Sequence, residues 1–288
     1  MNEHELDSLI ALLDDPDDSV FSLVLHEILK KDISVVDHLE HLWETSLDGL
    51  VQQRLEFIIQ QIQFNDTRVR IKNWANQSSI DLFEGFFLIS RYYYPELKLK
   101  PIQVQLDKIR KDIWLEFRNS QTSLEKITII NHIFFHHYKF VIDRVNPDSP
   151  QNCFINRILD FRKGNPVSIA ILYTLIARSL GLPVHYIDIE NTPLVGYFDK
   201  DIAQLVNGEE FENPILFYVN PANKGAIIGP KEIEYIHNSA EMHDRLKLTE
   251  PCTDRITIKR LVEKLIISYQ ELGVMDRVEY LQDLASIL

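Results

Sequence analysis

The first 140 residues alternate apolar and polar positions with the spacing of amphipathic helices. Leucines at positions 6, 9, 12 and 13 recur at helical spacing, and the run stops at the acidic, proline-containing turn 14–18. Such a turn can cap a following helix, whose apolar positions lie between Val20 and Ile28. The same periodicity predicts further helices at 34–44, 50–64, 81–93, 102–117 and 123–138.

The two short helices around the acidic turn resemble one unit of a HEAT-type repeat. At most two such units fit within residues 5–63, whereas a solenoid needs about three or more repeats to be stable alone. We therefore expect residues 1–79 to form an N-terminal, HEAT-like helical region that packs on another part of the chain.

The pattern changes after residue 140. A turn-rich loop at 143–150 precedes two predicted helices, at 153–161 and 166–180, and β-prone runs follow at 185–189, 194–198, 215–219 and 226–228. Short runs separated by turns are typical of a small, mainly antiparallel sheet. The helical pattern then returns at 255–272 and 276–287, so residues 241–288 resemble a TPR-like helix hairpin. Helices, then strands, then helices indicate an α+β fold.

Composition is globular and argues against several kinds of partner. The 288 residues are 45% hydrophobic and carry a net charge of −13, so nucleic acid and anionic membranes, which need clustered Lys and Arg, are not expected partners. Two cysteines are too few for a disulfide framework or a four-thiolate metal site. The start lacks a signal-peptide pattern, and the longest apolar run, 169–177, is about half of a membrane span. We expect a cytoplasmic protein without a membrane partner.

The stretch from residue 152 to 197 is the most informative. Asn165 can cap a helix that begins at the next residue, a proline, because the first helical position needs no amide donor. Ser168 is then the third residue of that helix and lies within the positive end of its dipole. The helix is apolar on nearly all sides, so we expect it to be buried and to end at the following Gly-Leu-Pro.

Five motifs occur in this part of the chain in a fixed order. They are Asn-Cys-Phe-Ile-Asn at 152–156, Gly-Asn-Pro-Val-Ser-Ile at 164–169, Leu-Tyr at 172–173, Ala-Arg-Ser-Leu-Gly-Leu-Pro at 177–183 and Val-Asn-Pro-Ala-Asn-Lys-Gly at 219–225. Across residues 80–240 they resemble the transglutaminase-like superfamily, and most closely its bacterial SirB-type branch. The resemblance implies a transglutaminase/papain-like core in which a helix N-terminus presents a cysteine to a sheet carrying a histidine and an aspartate.

The resemblance places the nucleophilic cysteine at Ser168, the histidine at Thr192 and the acidic residue at Asn220. A helix N-terminus and a neighbouring imidazolium can lower the pKa of a thiol from about 8.5 to a working value. A serine hydroxyl ionises far higher and needs a positioned general base, which Thr192 does not supply. The sequence therefore predicts a degenerate triad, and no residue is assigned as catalytic.

Two other side chains are weighed as replacements. His185 on the first strand would have to reach Ser168 as a base, and Cys153 would have to act as a second nucleophile. His185 is interpreted more simply as a satisfied core or edge residue. Cys153 is interpreted as a packing or capping residue, since buried cysteines are usually inert. A peptide or small ligand is expected in a cleft whose candidate residues are Asn165, Ser168, His185, Thr192 and Asn220.

His132 and His136 have the i, i+4 spacing that can place two metal ligands on one helix face. The sequence shows no third ligand beside them, so we interpret them as helix packing residues. No metal and no cofactor are expected.

We expect an inactive hydrolase-type scaffold with a regulatory or protein/peptide-binding role, because helical layers commonly bind peptides or partner helices. The identity of the partner stays open. One alternative is a thiol-hydrolase or acyl-transferase type of enzyme that uses Ser168 as an atypical nucleophile. Another is a scaffold that acts only through its N-terminal layer, so that deletion of residues 1–60 abolishes partner binding while changes at Ser168 do not.

Overall fold

The computed structural model describes residues 3–189, 193–208, 212–239 and 249–288. The chain divides into two compact units, Met1–Asn73 with Arg91–Pro95 and Trp74–Ser90 with Glu96–Leu288. The first unit is helical, and the second combines helices with small sheets. The predicted α+β class is confirmed, while the three-part division at residues 79 and 240 stays a prediction.

The helices of the first unit pack around one apolar core. They are α1 (Glu3–Ile10), α2 (Asp18–Ile28), α3 (Val36–Thr45) and α4 (Gly49–Ala75), the last of which continues well past its predicted end at residue 64. The acidic turn caps α2 as predicted, since the Asp17 carboxylate accepts the Ser19 amide at 2.8 Å. Fully buried aliphatic side chains from three helices and the turn form the core, including Leu13, Ile28, Leu39 and Ile58.

The helices from residue 82 onward largely follow the predicted pattern, although α6 begins three residues before its predicted start at residue 102. They are α5 (Leu82–Tyr93), α6 (Leu99–Glu116), α7 (Ser123–Asn131), α8 (Ile155–Phe161), α9 (Pro166–Ser179), α10 (Lys200–Asn207), α11 (Pro230–Ser239), α12 (Asp254–Glu271) and α13 (Met275–Ile287). After α7 the chain passes into a π-helical turn, and α8 begins two residues later than expected because a 3₁₀ turn precedes it. The short helices α10 and α11 were not predicted.

The strands form two sheets in the second unit. A parallel pair, β1 (Val141–Ile142) and β2 (Lys163–Gly164), leads into α9 and was not predicted. The larger sheet contains β3 (Val184–Ile187), β4 (Leu194–Phe198), β5 (Ile215–Asn220) and β6 (Ala226–Ile228), paired in that order and antiparallel throughout. This confirms the predicted small antiparallel sheet, although the strand predicted at 185–189 ends at residue 187.

Helix α9 occupies the centre of the second unit. Nine of its fourteen residues are buried, which confirms the expectation drawn from its apolar sequence. It packs against α6, α12, β3 and the 3₁₀ turn Pro221–Asn223 that follows β5. None of the helices in the described ranges has the length and apolar character of a membrane-crossing segment.

Candidate functional site at the two ends of helix α9

The N-terminal end of α9 is a reciprocal cap. The Asn165 side-chain oxygen accepts the backbone N–H of Ser168 at 2.9 Å, and the Ser168 hydroxyl oxygen accepts the backbone N–H of Asn165 at 3.1 Å. This arrangement satisfies two backbone donors that a helix start otherwise leaves unpaired. Asn165 therefore caps the helix and Ser168 is its third residue, as the sequence predicts.

The Ser168 hydroxyl also binds a neighbouring turn. It donates to the carbonyl oxygen of Asn152 at 2.6 Å, and Oγ lies 3.1 Å from the carbonyl oxygen of Asn165. The Asn165 amide nitrogen Nδ2 donates to the same Asn152 carbonyl at 3.3 Å. The 3₁₀ turn Pro150–Cys153 is thereby joined to the start of α9 by two side chains.

This bonding determines what the hydroxyl can do chemically. Ser168 and Asn165 are 0% and 1% exposed, and the single proton of the hydroxyl is directed to a backbone carbonyl. Within the described part of the chain, its hydrogen-bond partners belong to Asn152 and Asn165. A nucleophilic serine requires a side chain that removes its proton, and neither of these partners is such a base.

Cys153 lies in the same buried network. Its side chain is 0% exposed, and the Asn165 side chain approaches its sulfur at 3.1 Å. Burial raises the pKa of the Cys153 thiol to about 12, so the thiol is neutral near pH 7. A neutral, enclosed thiol is neither a nucleophile nor a metal ligand.

Asn220 stands at the end of β5, where its side chain caps the following turn. Its Oδ1 accepts the Asn223 amide at 3.1 Å, and its carbonyl accepts the Gly225 amide at 2.9 Å. The turn is tied to α9 through Asn131, which donates to the Gly225 carbonyl and accepts from the Tyr173 hydroxyl, each at 2.8 Å. Asn220 therefore caps a turn that contacts α9.

Gly225 is required in this turn for two reasons. Its φ is +78°, in the left-handed region, and a Cβ at this position would lie 2.1 Å from Asn131 Oδ1.

The third position carried over from the superfamily, Thr192, lies outside the described residues. The roles of Asn165, Ser168, His185, Thr192 and Asn220 in ligand binding stay predictions.

His185 is at the other end of α9. Its Nδ1 lies 2.7 Å from Nη2 of Arg178, which is ten residues beyond Ser168 and so about 15 Å along the helix. Because a guanidinium only donates, the imidazole must accept at Nδ1 and be neutral. Burial, and then the positive charge of Arg178, lower the pKa of His185, while Asp254 acts in the opposite direction. The hydrogen bond of His185 is thus with Arg178 and not with Ser168.

Arg178 joins three elements at this end. Its Nε donates to the Val184 carbonyl at 2.8 Å, and its Nη1 forms an ion pair with Asp254 at 2.6 Å. The guanidinium therefore connects α9 with β3 and with the start of α12. Sequence reasoning gave Arg178 no role, although it belongs to the Ala-Arg-Ser-Leu-Gly-Leu-Pro motif.

The paired histidines do not form a larger cluster in the described residues. The His132 and His136 rings stack with centroids 5.8 Å apart on the π-helical turn His132–His137. Across the described ranges, His, Cys, Asp and Glu side chains form no group of three or more that is placed to hold a metal ion.

Comparison with known proteins gives a family-level match. Residues 100–263 match the transglutaminase-like superfamily, a segment that runs from α6 into α12 and contains both ends of α9. No solved structure matches the chain significantly.

The matches to curated relatives cover only part of each relative's length. F-box only protein 21 of Homo sapiens is 22% identical over 218 residues, which cover 68% of this chain and 33% of the human protein. A UPF0162 protein of Vibrio cholerae is 26% identical over 156 residues, covering 54% and 53%. A UPF0162 protein of Xylella fastidiosa is 24% identical over 116 residues, covering 38% and 41%. The chain thus spans about a third of F-box only protein 21 and about half of the Vibrio relative.

Proposed function

The chain belongs to the transglutaminase-like superfamily, and we propose that it is a member that binds a protein or peptide partner without catalysing a reaction. The observation that carries this proposal is the state of Ser168. Ser168, which the sequence resemblance predicts at the nucleophile position, is 0% exposed, and its hydroxyl donates to a backbone carbonyl at 2.6 Å.

Two physical arguments support an inactive centre. A substrate carbonyl has to approach within about 3–3.5 Å of a nucleophile, and an enclosed oxygen gives it no path. An alcohol also needs a general base, whereas His185 accepts a hydrogen bond from Arg178 at the opposite end of the helix. Ser168 therefore links the motif at 164–169 to the motif at 152–156 by a hydrogen bond, and the superfamily core has a structural role.

A binding role is supported by the rest of the chain. The first unit is built of helices, and large apolar side chains such as Leu23, Trp43 and Leu47 are exposed on it. Where exposed apolar side chains form a contiguous patch on a helical layer, they are typical of surfaces that receive peptides or helices.

The proposal is tested by covalent labelling of the native protein with fluorophosphonate and activated acyl probes. We expect no adduct on Ser168 by peptide mapping, and the same pattern in Ser168→Ala. A stable adduct on Ser168 that Ser168→Ala lacks would overturn the proposal in favour of an acyl-transfer enzyme with an atypical nucleophile.

A second variant separates a missing thiol from a closed site. In Ser168→Cys we expect the new thiol to resist maleimide in the native state, as Cys153 should, and to react after unfolding in urea. Rapid native labelling at position 168 with Cys153 still protected would show that the site is open and would count against the proposal.

A further inference from the structure

We propose that the open cleft at the C-terminal end of α9 binds a peptide segment in which an Arg or Lys lies next to a large apolar side chain. The inference rests on the proposed binding role and assigns it a location away from Ser168. The cleft has a volume of about 740 Å³ and is formed by residues 79–83, by α6 between Gln103 and Arg110, by α9 between Leu175 and Ser179, and by Asp254. We call it the C-terminal cleft.

The C-terminal cleft is large enough for a ligand and has an apolar interior. Ligand sites in proteins commonly occupy about 300–1,000 Å³, and this volume falls in that range. Its apolar lining consists of Ile80, Leu82, Phe83, Leu106, Leu175 and Ile176. Four of these residues are only partly buried and so retain apolar surface that a ligand side chain can cover: Ile80, Phe83, Leu106 and Leu175.

The wall that carries residues 79–83 is fixed in place. The indole N–H of Trp74 donates to the Asp81 carbonyl at 2.8 Å, and the Asp81 carboxylate caps α5 by accepting the Phe83 and Glu84 amides at 2.7 and 3.1 Å. A Cβ on Gly85 would lie 2.5 Å from the Trp74 ring, so the glycine lets this ring pack closely. The cleft is therefore preformed, which lowers the entropic cost of binding.

The charges around the C-terminal cleft leave one carboxylate in excess. Arg178 is paired with Asp254 at 2.6 Å, and Arg110 lies 3.4 Å from Asp107. Within the described residues, the Asp81 carboxylate accepts only backbone amides and forms no ion pair. The three carboxylates and two guanidiniums of the lining thus give a net negative charge, which favours a cation in the ligand. The net charge of −13 on the whole chain acts in the same direction.

The experiment uses three matched, end-blocked peptides and the full chain. The probes are acetyl-Leu-Arg-Phe-amide and the same peptide with Gln or Glu in the central position. Titration is followed by amide chemical shifts of the isotope-labelled protein. We expect shift changes at Leu106, Leu175 and Arg178, with the Gln peptide about 2- to 5-fold weaker than the Arg peptide and the Glu peptide weaker still.

Two variants test whether the excess charge determines this preference. Asp81→Asn removes the charge but keeps a good helix cap, so the fold is preserved and the preference for Arg over Gln should disappear. Asp201→Asn, an exposed change on α10 outside the cleft, should leave the preference intact. Leu106→Ala should weaken all three peptides together, because it removes apolar contact area.

Several results would overturn the inference. They are equal binding of the Arg and Glu peptides, shift changes that map away from the cleft, and an unchanged preference in Asp81→Asn. Phenethylamine is titrated as a fourth probe. If it binds and none of the peptides does, the inference is also overturned, since the site would then bind a small amine. None of these results involves labelling of Ser168, so failure here is distinguishable from failure of the proposed function.

Discussion

The two ends of α9 differ in chemistry although one helix builds both. At the N-terminal end, Asn165 and Ser168 are almost fully buried, uncharged and bonded to one another. At the C-terminal end, Arg178 and Asp254 are charged, keep 25% and 18% of their side-chain surface exposed, and border a cleft of about 740 Å³. The start of α9, where the sequence resemblance predicts the nucleophile position, is closed, and the cleft lies at the opposite end of the same helix.

The difference follows from the cost of removing each group from water. A hydroxyl or a side-chain amide can be buried at little cost once its hydrogen bonds are made inside the protein. A guanidinium and a carboxylate lose far more hydration, so an ion pair generally keeps contact with solvent. Uncharged residues therefore allow the N-terminal end of α9 to be fully buried. Charged residues favour an open cleft at its C-terminal end.

The largest decrease in the free energy of unfolding is expected when Asn165, at the closed N-terminal end of α9, is replaced by alanine. Asn165→Ala removes the helix cap and the side-chain donor to the Asn152 carbonyl, and it leaves the Ser168 backbone amide and the Cys153 sulfur without their Asn165 partner. A lost cap costs about 1 kcal/mol, and a buried group left unpaired costs about 1–3 kcal/mol. We expect the free energy of unfolding in urea to fall by about 2–4 kcal/mol.

A cap in an exposed position provides the control for Asn165→Ala. Asp17 caps α2 through the Ser19 amide and has no buried partners in the described structure. Asp17→Ala should cost only about 0.5–2 kcal/mol. If the two variants lost equal amounts of unfolding free energy, the buried hydrogen bonds around Asn165 would add nothing to its cap. The N-terminal end of α9 would then not be stabilised by a closed network.

The sequence predicted this end of α9 because its signals are local. The cap, the proline at the first helical position and the third-residue serine lie within four consecutive residues, and their geometry depends on one helix start. The apolar character of α9 likewise sufficed to predict burial. The same holds for the antiparallel sheet, since each strand is a short β-prone run between turns.

The remaining features depend on contacts between distant parts of the chain. Ser168 bonds a carbonyl sixteen residues away, and Arg178 pairs with Asp254 seventy-six residues away. No local pattern determines such pairings, so His185 was considered as a partner of Ser168 although its hydrogen bond is with Arg178. The helices α10 and α11 were not predicted because turn-forming residues, such as Gly208 and Gly229, lie beside them.

A smaller effect is expected at the open end when Arg178 is replaced. Arg178→Met keeps much of the apolar stem but removes hydrogen bonds to the Val184 carbonyl, His185 and Asp254. Because the side chain is partly exposed, water can compensate some of this loss, and we expect a decrease of about 1–2 kcal/mol in urea unfolding. Arg178→Lys should restore little, since one ammonium group cannot reproduce the planar fork.

Arg110→Met is the matched control for Arg178→Met, because Arg110 borders the same cleft with an exposed partner, Asp107. An exposed pair contributes about 0–1 kcal/mol, so this variant should unfold close to the parent protein. If Arg178→Met were as stable as Arg110→Met, the guanidinium would not join α9 to β3 and α12.

The smallest effect on stability is expected from the protonation of His185. It sharpens the comparison because, at the closed end, the side chains of Asn165 and Ser168 are uncharged and burial raises the pKa of the Cys153 thiol to about 12. Burial and Arg178 place the pKa of His185 below its ordinary value of 6.5, so the unfolded chain binds more protons than the folded protein as the pH falls through that value. The folded state is therefore stable with a neutral imidazole and loses a small amount of stability on acidification. In His185→Gln this component is absent, so the difference in unfolding free energy between the variant and the parent should shift in favour of the variant between about pH 7.5 and about pH 5.5. A difference that stays constant with pH, or one that shifts toward the parent on acidification, would contradict a neutral His185 held by Arg178.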